Sequence, residues 1–179
     1  MTDYMKVIDF FCGSEPVREL LLLHSTQVMN KALAIAEKFP GADRDLITAG
    51  SMLHDVGIVF CDAPGIDCFG TEDYLLHGIL GAENIRAMHL NDGEKIARIC
   101  ERHTGSGLTA DEIRAGNLPL PEKNMLPETL EEKIICLADK FYSKSDPYRE
   151  KTLPEIRRSM EKFGTAPLSR FDQLYSELL

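Results

Sequence analysis

The chain is predicted to fold as an all-α domain, from three features of its 179 residues. Apolar residues recur with helical spacing, signals for helix starts and stops bound these segments, and alternating patterns of strand type are nearly absent. No internal repeat is visible. The length allows one domain with a proper core, and 44% hydrophobic with 27% charged residues is typical of a globular protein. We therefore expect a single domain over residues 1–179.

The first elements follow from their boundary residues. Ser14, with a proline two residues later, opens a helix that runs to about Phe39, where Pro-Gly closes it. Asp43 is placed to cap a second helix, which Gly57 is placed to end. Residues 59–71 contain one proline and two glycines, and are predicted to form an irregular loop.

The remaining elements are also helical. Thr109 and Glu112 form a capping box that opens a short helix, and Gly116 stops it. The segment that follows contains three prolines and is predicted to be a surface loop. The other helices are predicted, in chain order, over about residues 72–89, 93–103 and 128–143, and after Pro154 and Pro167.

Charge and composition limit the classes of partner. A net charge of −9 argues against a nucleic-acid backbone as partner, although cations or metals at one site can still attract a small anion. No apolar run approaches membrane-spanning length, and the N-terminus lacks the features of a signal peptide. The five cysteines are odd in number and show no CxxC spacing, which indicates reduced thiols. We expect a cytoplasmic protein without a membrane partner.

Four of the five histidines lie on or at the ends of separate predicted helices, among apolar or small residues. His24, for example, has Leu20 and Leu21 one turn before it and Val28 one turn after it, so its side chain points at the core. His89, beside an Asn-Asp-Gly turn, is interpreted as a solvated or capping histidine. A lone inward histidine is usually a hydrogen-bonded core residue. The inward set, however, has four members: His24, His54, His77 and His103.

Two aspartates are placed where burial is costly. Asp139 has Ile135 and Tyr142 on its own helix face, and Asp55 stands among apolar residues beside His54. Adjacent helix positions differ by about 100°, so His54 and Asp55 can straddle one inward direction. The buried carboxylates and imidazoles could pair with one another. A divalent metal would satisfy them better, because neutral imidazole and carboxylate are ligands that borderline metals prefer.

These residues resemble a known pattern. His24, then His54-Asp55 within "MLHDVGI", then Asp139 resemble the H…HD…D signature of the HD-domain superfamily of metal-dependent phosphohydrolases. The resemblance implies a helical bundle with a metal at its centre. "HGILGAENI" and "ERHTG" resemble the additional histidines of dinuclear HD proteins. "LEEKIICLADKF" resembles a helix of the bacterial HD proteins that split diadenosine tetraphosphate symmetrically. The similarity covers about residues 20–142, and residues 143–179 are expected to be a helical extension without an assigned motif.

The resemblance implies roles for individual residues. A first metal would be bound by His24, His54, Asp55 and Asp139, and Asp55 would bridge to a second metal held by His77 and His103. Asp55, His54 and His103 are expected to be catalytic, in a hydrolysis that uses a metal-activated water. Many HDIG proteins have a phosphate-contacting lysine directly after the glycine, where this chain has Ile58. Phosphate contacts must come from elsewhere, and the candidates are Arg102, Lys140, Arg18 and Thr104.

The sequence leaves the chemistry partly open. One or two divalent ions are expected, and Fe, Mn, Ni, Co and Zn all suit His/Asp ligands. The expected substrate is a nucleotide or another small phosphorylated metabolite. Two other classes remain as alternatives. One is a di-iron oxygenase that uses the same ligands, and the other is a regulatory module whose metal or ligand is bound without turnover.

Overall fold

The computed structural model describes residues 2–179, and these contain nine α-helices and one short hairpin. The all-α prediction is confirmed. The hairpin pairs β1 (Asp62–Ala63) with β2 (Cys68–Phe69) in antiparallel register and lies in the segment predicted as a loop. The helices are α1 (Tyr4–Phe11), α2 (Glu15–Ala36), α3 (Arg44–Leu53), α4 (His77–Ala87), α5 (Gly93–Arg102), α6 (Ala110–Ala115), α7 (Leu130–Asp139), α8 (Leu153–Glu161) and α9 (Thr165–Leu178). Short 3-10 helices cover Val56–Phe60, Pro64–Ile66 and Tyr74–Leu76.

Helix α1 was not predicted from the sequence. Asp3 caps it by accepting a hydrogen bond from the backbone N–H of Lys6, and Val7 and Ile8 are buried in the core. The helix has only eight residues and is stabilised mainly by this packing. A short apolar segment of this kind carries too little periodicity to be recognised without its tertiary contacts.

The prediction that α3 continues to Gly57 was wrong. The helix ends at Leu53, and a 3-10 helix begins at Val56, so that Asp55 leaves the α-helical path. Gly57 does not end a helix but allows a close approach between chain segments. A Cβ on Gly57 would lie 2.0 Å from the carbonyl oxygen of His77, so only glycine lets this turn pack directly against α4.

Helix α7 ends at Asp139, about one turn earlier than predicted. The side chain of Lys140, the capping residue, donates to the carbonyl oxygen of His103 at 3.0 Å. The chain then turns and returns, and the backbone N–H of Lys151 donates to the carbonyl oxygen of Phe141 at 2.7 Å. This reversal places residues 143–151 over the end of α7.

The core forms around α2, which packs against α3 and α7, while α4 packs against α5. Ile156 of α8 and Phe171 of α9 belong to the same hydrophobic cluster as Val28 of α2 and Ile134 of α7. The predicted C-terminal extension therefore shares its core with the helices that carry the motifs. No helix within residues 2–179 has both the length and the apolar character needed to cross a membrane.

A partly buried ion pair joins α5 to α7. The Glu132 side chain is 3% exposed and accepts a hydrogen bond from Nε of Arg98 at 2.8 Å. The same carboxylate accepts from the backbone N–H groups of Glu128 and Thr129 at the start of α7. Such a fully bonded carboxylate is tolerated in the interior, whereas the loss of its cation would be destabilising.

Candidate metal centre

The structure brings the six predicted metal ligands together at the centre of the bundle. His24 lies in the middle of α2, His54 and Asp55 directly follow α3, and Asp139 is the last residue of α7. His77 is the first residue of α4, and His103 directly follows α5. All six are at most 9% exposed. Their ligand atoms form two groups, and each group is compact enough to hold a metal ion.

The first group contains His24, His54, Asp55 and Asp139. Nε2 of His24 lies 3.0 Å from Oδ1 of Asp139 and 3.2 Å from Oδ2 of Asp55. Nε2 of His54 lies 3.2 Å from the same Asp55 oxygen and 3.5 Å from the same Asp139 oxygen. Two imidazole nitrogens and two carboxylate oxygens thus face one point, as ligands of a single cation do.

The second group shares Asp55 with the first. Oδ1 of Asp55 lies 3.4 Å from Nε2 of His77 and 3.4 Å from Nε2 of His103. These two imidazole nitrogens are 3.0 Å apart. Asp55 therefore presents one carboxylate oxygen to each group, which is the arrangement of a bridging carboxylate.

The hydrogen bonds of the histidines show that the site fits a metal. His54, His77 and His103 each place Nδ1 at 2.6 to 2.8 Å from the carbonyl oxygen three residues earlier. A carbonyl only accepts, so Nδ1 carries the proton in all three rings, and Nε2 of the neutral rings of His77 and His103 presents a lone pair. Two lone pairs facing each other at 3.0 Å repel unless a cation lies near both. In addition, the buried Nε2 of His54 and Oδ1 of Asp55 lack hydrogen-bond partners, whereas Oδ2 of Asp55 pairs with Lys144.

A second close-approach glycine, Gly78, brings His77 and His103 together. A Cβ on Gly78 would lie 2.5 Å from the carbonyl oxygen of Cys100. This oxygen is also the acceptor that orients the ring of His103, at 2.8 Å from its Nδ1. The absence of a side chain at Gly78 therefore lets the start of α4 contact the end of α5 and fixes the distance between the two imidazoles.

The charges and the burial of the site favour metal-binding protonation states at four ligands, since burial lowers the pKa of His103 as well as that of His77. Burial opposes ionisation of Asp55 and Asp139, but Lys144 beside the first and Lys140 beside the second hold both pKa values well below their usual range. Burial lowers the pKa of His77 to about 3, because the effect of the nearby Asp55 is smaller. Burial also opposes protonation of His54, but the two carboxylates raise its pKa to about 9. A cation in the first group would compete with that proton.

Sequence reasoning missed Lys144. Its Nζ lies 2.5 Å from Oδ2 of Asp55 and 5.9 Å from the ring centroid of Tyr74, and its side chain is 15% exposed. No motif surrounds it, and a lysine between two serines has the pattern of a solvated surface residue. Ile58, which replaces the lysine of many HDIG proteins, is fully buried in the core. Lys144 thus provides a cation at the site from a different part of the chain.

A pocket of about 420 Å³ opens directly beside the first group. His24 and Asp139 lie in its wall, together with Lys140, Lys144 and Lys151. Serine and tyrosine side chains form much of the rest. The volume is within the range of small-molecule sites. A concentration of three lysines in a chain with a net charge of −9 makes this pocket suitable for an anion.

The predicted substrate-binding residues differ in their placement. Lys140 lines the pocket and lies 2.6 Å from Oδ2 of Asp139. Arg102, Arg18 and Thr104 are outside the pocket lining. Arg102 donates to a backbone carbonyl at 2.6 Å, and Arg18 pairs with an aspartate at 2.7 Å. Their roles stay predictions. His89 is exposed, has a φ of 51° after the end of α4, and belongs to neither ligand group.

Comparison with known proteins gives a family match and several relatives. The family model described as HD domain matches residues 21–143. A protein of Picrophilus torridus named tRNA (cytidine(56)-2'-O)-methyltransferase is 35% identical over 169 residues, which are 92% of this chain and 43% of that protein. A protein of the same name from Thermoplasma volcanium is 33% identical over 153 residues, 80% of this chain and 40% of that protein.

A third relative is an uncharacterized protein of Methanocaldococcus jannaschii, 41% identical over 126 residues, which are 70% of this chain and 66% of the relative. The chain thus spans less than half the length of the two methyltransferase-named relatives. No solved structure gives a significant match.

Proposed function

Because the chain belongs to the HD domain family, we propose that it is a metal-dependent phosphohydrolase for a nucleotide or another small phosphorylated metabolite. The observation that carries this proposal is the position of Asp55. Its two oxygens face two buried ligand groups, and its site borders a pocket lined by lysines. Neither a structural metal nor a core polar cluster requires such a pocket beside it.

The ligand groups divide the metal binding between them. His24, His54, Asp55 and Asp139 would hold one ion, and Asp55 with His77 and His103 would hold another. Divalent ions bound there would lower the pKa of a bound water and neutralise negative charge on phosphate oxygens. Iron, manganese, nickel, cobalt and zinc all suit these ligands.

The protein's own groups orient the substrate. His54, His77 and His103 keep Nε2 directed at the site, because their Nδ1 atoms are bonded to the backbone. Lys140 and Lys144 pair with carboxylates that metal ions would also bind. With these carboxylates bound to metal, both ammonium groups are available to phosphate oxygens in the pocket. Asp55, His54 and His103 are the residues on which turnover is proposed to depend most directly.

The finer substrate assignment belongs to this proposal as well. Diadenosine tetraphosphate is a candidate because of the resemblance of α7, but the names of the three relatives lend it no support. Methyl transfer to tRNA is not proposed for this chain, because the chain matches less than half of each protein with that name. The net charge of −9 also disfavours tRNA as the substrate.

The test is an anaerobic metal analysis followed by a panel of nucleotides and phosphoesters. We expect the metal-loaded protein to release phosphate or nucleotide without oxygen, and we expect His77→Ala to lose this activity. His89→Ala is the control, because His89 is exposed and outside both groups. Oxygen-dependent loss of substrate with a mixed-valent iron signal would instead indicate an oxygenase. Tight ligand binding without turnover by any of the metals would indicate a regulatory module.

A further inference from the structure

The three lysines of the pocket differ in how their charge is compensated. Nζ of Lys140 lies 2.6 Å from a carboxylate oxygen of Asp139, and Nζ of Lys144 lies 2.5 Å from one of Asp55. Lys151 forms no ion pair with a carboxylate of residues 2–179, and its Nζ donates only to the carbonyl oxygen of Tyr142, at 3.2 Å. Lys151 is thus a partly buried cation without an ion-pair partner among residues 2–179.

The position of Lys151 is set by the backbone. Its N–H donates to the carbonyl oxygen of Phe141, two residues after the metal-ligand candidate Asp139. Burial lowers the pKa of Lys151, and the charges of Lys140 and Lys144 act in the same direction, whereas the charge of Asp139 opposes them. A negatively charged ligand in the pocket would relieve both the burial cost and the repulsion.

We infer that Lys151 binds a second phosphate group of the substrate, so that the site favours compounds with two linked phosphates over monophosphates. Lys140 and Lys144 lie beside the carboxylates of the metal centre and would contact the phosphate that is attacked. Lys151 lines the same pocket without pairing to those carboxylates, and is free to hold an adjacent phosphate. The inference rests on the proposed function for the role of the pocket.

The family match does not supply this specificity, because it ends at residue 143. Both Lys144 and Lys151 belong to the segment beyond it, which reaches the site only through the chain reversal after α7. A phosphate-binding role for this segment would explain why it folds over the metal centre.

Binding of two non-hydrolysed probes tests the inference independently of turnover. Imidodiphosphate, whose two phosphates are joined by nitrogen, is compared with orthophosphate by titration calorimetry, with Mn²⁺ in excess over both probes. The measured quantity is the ratio of the two dissociation constants. We expect the wild-type protein to prefer imidodiphosphate, and Lys151→Gln to reduce this preference about tenfold, as expected for the loss of one charge-assisted contact.

Two further variants control for folding and for general charge. Lys151→Arg keeps the cation and should keep the preference. Lys162→Gln removes an exposed lysine at the end of α8, outside the pocket, and should also keep it. Loss of the preference in Lys151→Gln alone supports the inference, and any other pattern overturns it. A Lys151-dependent preference in a protein that hydrolyses no phosphoester would uphold this site and refute the proposed activity.

Discussion

Replacing Gly78 by alanine should move His77 and His103, the two histidines of the second ligand group, apart. The new Cβ would lie 2.5 Å from the carbonyl oxygen of Cys100, and ordinary contact begins at 3.4 Å. The start of α4 and the end of α5 must therefore move apart by about 0.9 Å. The atom that is pushed is a backbone oxygen, so a side-chain rotation cannot remove the clash.

The energetic cost can be worked from this geometry. Overpacking of this kind costs about 1–3 kcal/mol, and alanine regains at most about 1 kcal/mol of helix propensity over glycine. We expect a net loss of about 1–2 kcal/mol in the free energy of unfolding. The larger effect concerns the metal site, because the displaced oxygen orients His103. Perturbing such an orienting partner costs about 10- to 100-fold in metal affinity.

The assay is a metal titration by calorimetry, combined with urea denaturation of the metal-free protein. In Gly78→Ala the ion held by His77 and His103 should bind about 10- to 100-fold more weakly, while the ion held by His24 and Asp139 should be retained. Gly93→Ala is the matched control. A Cβ there would lie 3.6 Å from its nearest neighbours, an ordinary contact. If Gly78→Ala and Gly93→Ala bound two ions with equal affinity, the reasoning would be refuted.

Three further outcomes are expected. Asp139→Ala should lose the metal of the first group, measured as metal content by mass spectrometry, and His89→Ala should keep it; equal contents would contradict the assignment. Lys144→Ala should bind metal more tightly, because it removes a cation that competes for the bridging carboxylate. Lys144→Ala should also lower kcat/KM about 10²-fold. Weaker metal binding in this variant would contradict the competition between Lys144 and the metal ion for Asp55. Arg98→Ala leaves a buried glutamate without its cation and should cost about 2 kcal/mol in urea denaturation. The exposed ion pairs of Arg114 should contribute less than about 1 kcal/mol to the free energy of unfolding. A loss of stability in Arg114→Ala equal to that in Arg98→Ala would contradict the importance of burial.

The sequence alone determined the fold class and the residues that point into the core. His24 lies within four residues of Leu21 and Val28, and a helix of 3.6 residues per turn puts these three on one face. The structure places His24 in the middle of α2, 1% exposed, between buried Leu21 and Val28. Such information is local, so it can be read from neighbours three and four positions away. The resemblance to the HD signature implied the full set of six metal-ligand candidates, and all six are buried together.

Only the tertiary structure decided which of these residues meet, and what else meets them. His77 and His103 are 26 positions apart, and their 3.0 Å separation depends on helix packing at Gly78. Lys144 contacts Asp55 because α7 ends at Asp139 and the chain folds back over it. Asp55 and Lys144 are 89 positions apart, and a contact over that separation produces no periodic pattern in the sequence. Local side-chain patterns determine where a helix forms, but they do not determine the distance between the ends of two helices. For this reason the metal-ligand candidates and Lys140 could be named from the sequence, whereas the places of Lys144 and Lys151 in the pocket needed the structure.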